Sequence, residues 1–228
     1  MTVLPKVEVK GRGIVIIGDV HGKVETYQKI IQRMPEGQRS VQIGDMGLGF
    51  KGVGLHEMPD CHKWFRGNHD NPEKCRANKN YLGDYGYLPE DKLFWLAGAF
   101  SIDRDYRVEG ISWWRDEELS IEELGKAVNL YEETKPEYVL SHECPSEAAT
   151  FMLQRLASER GDGAYFNAKR DCVNSRTAQA LQIMYEIHPP KEWIFAHYHR
   201  DMAFHLKQDS RTKFICVGEL SQYVLEIQ

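Results

Sequence analysis

Apolar and polar positions along the chain alternate between two periods. Ile14-Val15-Ile16-Ile17 is an unbroken apolar run closed by Gly18-Asp19, the pattern of a buried strand followed by a loop. Val24, Tyr27, Ile30, Ile31 and Met34 then recur at helical spacing, and Pro35 and Gly37 end that helix. Ser40-Val41-Gln42-Ile43, closed by Gly44-Asp45, reads as the next strand. Strand, helix and strand in so short a span predict a βαβ unit with functional loops at the strand ends.

Residues 46–54 are rich in glycine and read as loop. Residues 61–65 read as a third strand, ending in Arg66-Gly67-Asn68-His69-Asp70. Residues 71–92 read as irregular, and 93–114 as β-like with turns at Gly98 and Gly110. Ser120 followed by Glu123 has capping-box spacing and opens a helix to about Thr134. Residues 137–141 form a predicted strand leading to His142, and 146–160 a predicted helix that Gly161-Asp162-Gly163 breaks. Asn174 or Ser175 caps a further helix, which Pro189-Pro190 terminates. Residues 193–195 form a strand leading to His197, and short strands at 202–207, 213–217 and 223–227 complete the pattern. With no internal repeat or linker, residues 1–228 are expected to be a single α/β domain.

Composition narrows the function classes. Hydrophobic residues make up 42% and charged residues 28%, an ordinary globular balance. No apolar run approaches the length of a membrane span. The stretch MTVLPKVEVKGRG lacks the apolar core of a signal peptide. The expectation is a cytoplasmic protein without a membrane partner. The five cysteines are scattered, with no C-x-x-C pair, and read as reduced thiols. A net charge of −5 argues against gripping long nucleic acid by charge alone.

One feature recurs five times: a short apolar strand ends in residues able to bind a metal. These are Asp19-Val20-His21, Gly44-Asp45, Gly67-Asn68-His69-Asp70, Ser141-His142 and His197-Tyr198-His199. Alone, each has an ordinary reading as a turn, a helix cap or a packed histidine. Together they hold five of the nine histidines, and polar groups at such strand ends converge on one crevice. His56, His62, His188 and His205 fall outside the pattern and read as surface or structural residues.

This ordered set, GDVHG at 18–22, GD at 44–45, GNHD at 67–70, SH at 141–142 and AHYH at 196–199, resembles the calcineurin-like metallophosphoesterase superfamily. The resemblance implies a four-layer αββα sandwich of two mixed sheets flanked by helices. It implies two divalent ions, one held by Asp19, His21, Asp45 and His199, the other by Asp45, Asn68, His142 and His197, with Asp45 bridging. Manganese is expected; iron, zinc and nickel are compatible with the same mixed donors. The implied reaction is phosphate-ester hydrolysis by a hydroxide bridging the two ions. His69 is implied as general acid to the leaving alkoxide, with Asp70 as its orienting partner and Asn68 also touching substrate.

The second block continues as Met46-Gly47-Leu48-Gly49, without the arginine that protein phosphatases of this superfamily place there, and the third reads GNHD rather than GNHE. With the H-x-H pair retained, a phosphodiesterase is slightly favoured over a phosphomonoesterase. The expected substrate is a phosphate ester: a nucleotide, a dinucleotide or a nucleic-acid end. The alternative from another class is a catalytically silent metal-binding scaffold, but the full residue set is present. Trp113, Trp114 and Arg115 read either as a packed strand or as a cleft wall with Arg115 near phosphate. Lys169, Arg170, Asn174, Ser175 and Arg176 read as a solvated basic patch or as further phosphate contacts, Arg176 being the chosen candidate.

Overall fold

The computed structural model describes residues 13–55, 58–160, 173–207 and 209–227. The expected break at 161–163, together with Lys169, Arg170 and His56, lies outside those residues.

The apolar runs form two sheets. In the first, β1 (Ile14–Ile17), β2 (Ser40–Ile43) and β3 (His62–Phe65) run parallel, and β10 (Gln222–Leu225) pairs antiparallel with β1. In the second, the order is β4 (Tyr85–Leu88), β5 (Leu93–Leu96), β6 (Tyr138–Ser141), β7 (Glu192–Phe195), β9 (Asp209–Cys216), β8 (Met202–Leu206). Its four central strands are parallel and its two edge strands antiparallel.

Both faces of each sheet are covered, which is why the strands read as continuous apolar runs. Strand side chains alternate between faces. Ile14 and Ile16 therefore join Leu93, Trp95, Leu140 and Ile194 in the core between the sheets. Val15 and Ile17 face the other way, onto Tyr27, Ile30 and Ile31 of α1 (Val24–Gln32). On the outer face of the second sheet, Phe94, Leu96, Trp193 and Phe195 pack with α3 (Ile121–Thr134), α4 (Ser146–Arg160) and α5 (Arg176–Ile187). Helix, sheet, sheet, helix is the expected four-layer sandwich. Ser120 and Glu123 form the full capping box, and Ser175 accepts from Ala178 N at the start of α5. Among the described residues no helix is long and apolar enough to cross a membrane, and the four described cysteines are unpaired.

Two segments differ from the pattern. Residues 71–92 contain a short helix, α2 (Pro72–Arg76), capped by Asn71, and the edge strand β4. Tyr85-Gly86-Tyr87-Leu88 has too short an alternation to announce a strand; pairing with β5 makes it one. Residues 97–120 are not β-like. The strand stops at Leu96, Gly98 takes a left-handed backbone, and a single 3₁₀ turn (Arg104–Tyr106) interrupts a long loop. Tyr106 and Val108, spaced as in a strand, are exposed, and so is Ile111.

Candidate active site

All five ligand-bearing segments leave the C-terminal ends of parallel strands. Asp19 and His21 follow β1, Asp45 follows β2, Asn68 and His69 follow β3, His142 follows β6, and His197 and His199 follow β7. Three segments come from one sheet and two from the other, so the cluster sits where the sheets meet at that end. Backbone bonds knit the loops together: Val20 N and His21 N both donate to Asp45 O (2.9 and 2.8 Å), and Ala196 N donates to His142 O.

The loops turn sharply to aim these side chains. His21, Asp45, His197 and His199 all have left-handed φ, at 47°, 57°, 67° and 53°. That conformation is unusual for residues bearing a Cβ and collects at functional sites. Two glycines make room. A Cβ on Gly44 would enter the His142 ring, and one on Gly67 would collide with Asp45 Oδ1 and, at 2.6 Å, with His142 Nε2.

The donor atoms fall into two groups that share Asp45. One is Asp19, His21, Asp45 and His199; the other is Asp45, His142 and His197. In each group the donor atoms all lie within 4.8 Å of one another. Asn68 Oδ1 lies 3.1 Å from His142 Nε2, while its amide nitrogen donates to Ser101 Oγ (2.9 Å), so the oxygen is the atom turned toward the second group. His142 Nδ1 faces Ile43 O at 2.8 Å. With Nδ1 turned to Ile43 O, Nε2 is the ring nitrogen that faces Asp45, 3.3 Å from Oδ1.

The arrangement suits divalent cations. His21 Nε2 and His199 Nε2 face each other at 2.9 Å, and His199 Nε2 lies 3.1 Å from Asp19 Oδ2. That buried oxygen nonetheless accepts no hydrogen bond. Imidazole nitrogens and a carboxylate oxygen thus crowd into one small region.

Charge follows from the same packing. Burial opposes ionisation of Asp19, but His199 and His21 outweigh it and bring the carboxyl to about 2. Burial likewise opposes ionisation of Asp45, and His142 outweighs it, holding the group well below the usual carboxylate range. Burial disfavours the charged form of His142, yet Asp45 and Asp19 raise it to about 10. Burial, reinforced by His142, pushes His197 down to about 3 and keeps its ring neutral. The balance is two buried carboxylates that stay anionic beside a histidine, His142, that they hold in its charged form.

His69 sits at the rim. Its backbone N–H donates to Asp45 Oδ1 (2.8 Å), and its Nε2 lies 3.9 Å from Asp45 Oδ2. Burial lowers its pKa, Asp45 opposes this, and Arg107 adds to the lowering.

Several sequence expectations are corrected. Asp70 does not orient His69. It accepts hydrogen bonds from the backbone N–H of Met46, Gly47, Leu48 and Gly67 (3.1, 2.7, 2.9 and 2.9 Å) and so shapes the glycine-rich loop. Arg115 is largely exposed and paired with Glu109. Arg176 contacts Glu118 at the start of α5. Neither arginine contacts the cluster. Trp114 is buried against Phe50 and Gly49, supporting the glycine-rich loop, and belongs to no strand.

Two site residues escaped the sequence reading. Arg107 lies against His69, with Nη1 2.7 Å from Nδ1 and Nη2 3.2 Å from Nε2. Glu143 lies behind His197, its Oε2 3.6 Å from His197 Nε2, while Oε1 accepts from Tyr198 and Cys144 N. The i,i+4 spacing of Asp103 and Arg107 was the available signal for the first.

No curated protein matches the chain at significant similarity. Among solved structures, it is similar to a candidate 5′-nucleotidase from Staphylococcus aureus determined with alpha-ketoglutarate, at 14% identity and a TM-score of 0.44. That likeness covers 94% of this chain and 50% of the other, so the chain spans half of that protein's length. The calcineurin-like phosphoesterase profile matches residues 13–201, which carry all five ligand-bearing segments, and the chain belongs to that family.

Proposed function

We propose that this chain hydrolyses phosphate esters with two divalent ions, preferring diesters. Membership of the family carries metal-dependent phosphoester hydrolysis. The observation that supports the two-ion reading is the pair of donor groups sharing Asp45. In this reading Asp19, His21, Asp45 and His199 hold one ion, and Asp45, Asn68, His142 and His197 hold the other. Manganese suits these mixed nitrogen and oxygen donors. When bound, such a pair clamps phosphate oxygens and makes hydroxide available near neutral pH.

The chain's own residues do the rest. Asp45 and Asp19, ionised and buried, supply the negative charge that holds cations in the crevice. His142, fixed by Ile43 O, and Asn68, fixed by Ser101, present their donor atoms without reorganisation. His69 stands beside the cluster without belonging to either donor group. A bound phosphate's negative charge favours its imidazolium form, opposing burial and Arg107. Its proton then passes to the leaving alkoxide.

Diester preference is supported by the intact His197–His199 pair, one residue in each donor group, and by the lack of an arginine in the loop after Asp45. The substrate class consistent with this is a nucleotide, a dinucleotide or a nucleic-acid end. The test is hydrolysis of bis-p-nitrophenyl phosphate against p-nitrophenyl phosphate by metal-stripped protein with Mn²⁺ restored. Mn²⁺-dependent turnover favouring the diester is expected. Preference for the monoester would overturn the diesterase assignment, and absence of turnover with every divalent ion would overturn the enzyme.

A further inference from the structure

The glycine-rich loop after β2 carries one aromatic side chain that the metal chemistry does not use. Residues 47–54 hold four glycines and a single aromatic, Phe50. The chain around it is tied down. Asp70 accepts from Gly47 N and Leu48 N, Asn71 N donates to Leu48 O (2.6 Å), and Val53 N donates to Phe50 O (3.2 Å). Gly49, with φ at 123°, has no room for a side chain: a Cβ there would stand 2.5 Å from Asn71 Cβ and 3.0 Å from Trp114 Cζ2. This packing fixes where Phe50 leaves the backbone.

The Phe50 ring has two aromatic neighbours of different kinds. One is the buried Trp114 indole, which it meets edge to face with centroids 5.7 Å apart and planes at 73°. The other is the His69 imidazole, at 6.2 Å and 38°. Both distances lie in the range at which aromatic rings interact. Phe50 itself stays partly exposed, so burial alone rewards its position only in part. The tryptophan braces the ring, and the contact with His69 puts it at the reaction centre.

A general acid must come within about 3 Å of the oxygen it protonates. For His69 that oxygen carries the leaving group, whose next atoms then lie beside the ring that borders His69. We propose that Phe50 is a specificity-determining residue, a platform on which an aromatic leaving group stacks as its oxygen reaches His69. The substrate class is an ester whose leaving group carries a flat ring, in preference to an aliphatic ester. A stacking platform reads the flat face and tolerates many substituents on it. This assignment rests on the phosphoesterase reading, and it makes Phe50 the aromatic wall of the crevice, with Trp114 as its brace.

The experiment uses the full chain loaded with Mn²⁺ and two phosphonates, whose P–C bond ester hydrolysis does not cleave. Benzylphosphonate carries a ring and methylphosphonate does not. In calorimetry, wild type is expected to bind benzylphosphonate about tenfold more tightly, and Phe50→Ala to reduce that preference to within about twofold. Methylphosphonate affinity is expected to change little. Phe50→Tyr should keep the preference. Phe50→Leu, which keeps apolar bulk without a ring, should lose most of it and serves if the alanine variant does not fold. Tyr106→Ala, an exposed aromatic on the 97–120 loop, is the control. KM on bis-p-nitrophenyl phosphate is expected to rise about tenfold in Phe50→Ala, with kcat within about twofold of wild type. Equal affinity of wild type for the two phosphonates overturns the proposal, as does a preference that survives in a folded Phe50→Leu. Equal loss of both affinities also overturns it, because Phe50 would then only support the loop. So does a fall in kcat at unchanged KM, which makes Phe50 a positioning residue for His69. The phosphonates report without turnover. An inactive wild type with a Phe50-dependent preference therefore defeats the hydrolase reading alone, and normal turnover without that preference defeats the platform alone.

Discussion

Two walls of the crevice are built on different principles. The ligand wall consists of five short loops, whose side chains stand one to four residues beyond a parallel strand. Its side chains are aimed by backbone geometry: left-handed residues at His21, Asp45, His197 and His199, and glycines at 44 and 67 where no Cβ fits. The opposite wall is the long loop of residues 97–120. It has one turn of 3₁₀ helix and is held by side chains. Arg66 Nη1 donates to Glu117 O (2.7 Å), Ser101 N donates to Glu117 Oε1 (3.0 Å), and Asp103 grips Arg107. The first wall trades backbone strain for rigid placement of donors, as a metal centre requires. The second is a loop resting on a few long-range polar bonds, where substrate contacts vary most readily within a fold.

The comparison breaks most severely at Gly67. Gly67→Ala forces a methyl group into Asp45 and His142, so both donor groups should disperse. Mn²⁺ affinity, followed by calorimetry, should fall at least about 10- to 100-fold, with turnover lost. Retained affinity would mean that the loops yield and the ligand wall is not rigid.

His69→Ala separates chemistry from metal binding on the same wall. Mn²⁺ binding should be spared, and turnover on poor leaving groups should fall by about 10²- to 10⁴-fold. The loss should be much smaller with p-nitrophenol, which needs little protonation. Equal losses on both would remove His69 as the acid.

Arg115→Ala sharpens the account of the loop wall. Among the described residues Arg115 pairs with exposed Glu109, and surface pairs of this kind contribute little. A change in kcat/KM of less than about threefold is expected; a larger one would return Arg115 to the site.

The smallest effect concerns the tether of the loop. Burial opposes ionisation of Asp84, but Arg66 and its other partners outweigh it and depress its pKa below 3.8. A depressed carboxylate stabilises the fold above its unfolded pKa, and that contribution is lost as pH falls through the folded value. Thermal melts of Asp84→Asn should therefore show a shallower loss of Tm than wild type between about pH 5 and pH 3. Parallel curves would show that the ion pair does not bear on stability.

The ligand wall was legible in the chain because each part of it is local. A short strand and its donor residues sit within a few positions, with a glycine between them at 18, 44 and 67, and parallel pairing brings the ends together. The sheets were legible for the same reason, as unbroken apolar runs at 14–17 and 93–96. The loop wall was not legible. Tyr106 and Val108 have strand spacing, yet they belong to no strand, and the course of the loop depends on Arg66 and Glu117, 51 residues apart. Arg107 was missed for that reason, while Arg115, equally basic, drew the assignment. Asp70 was misassigned because sequence adjacency to His69 suggested a contact, whereas its carboxylate turns back onto the loop after β2.

The most direct test of the central claim is Mn²⁺ stoichiometry, measured calorimetrically on metal-stripped protein and on Asp45→Asn. Two ions per chain are expected for wild type. At most one is expected for the variant, with diester hydrolysis gone, because both donor groups depend on the same carboxylate. One ion in the wild type, or two ions retained with full activity in the variant, would contradict a centre built around a shared Asp45.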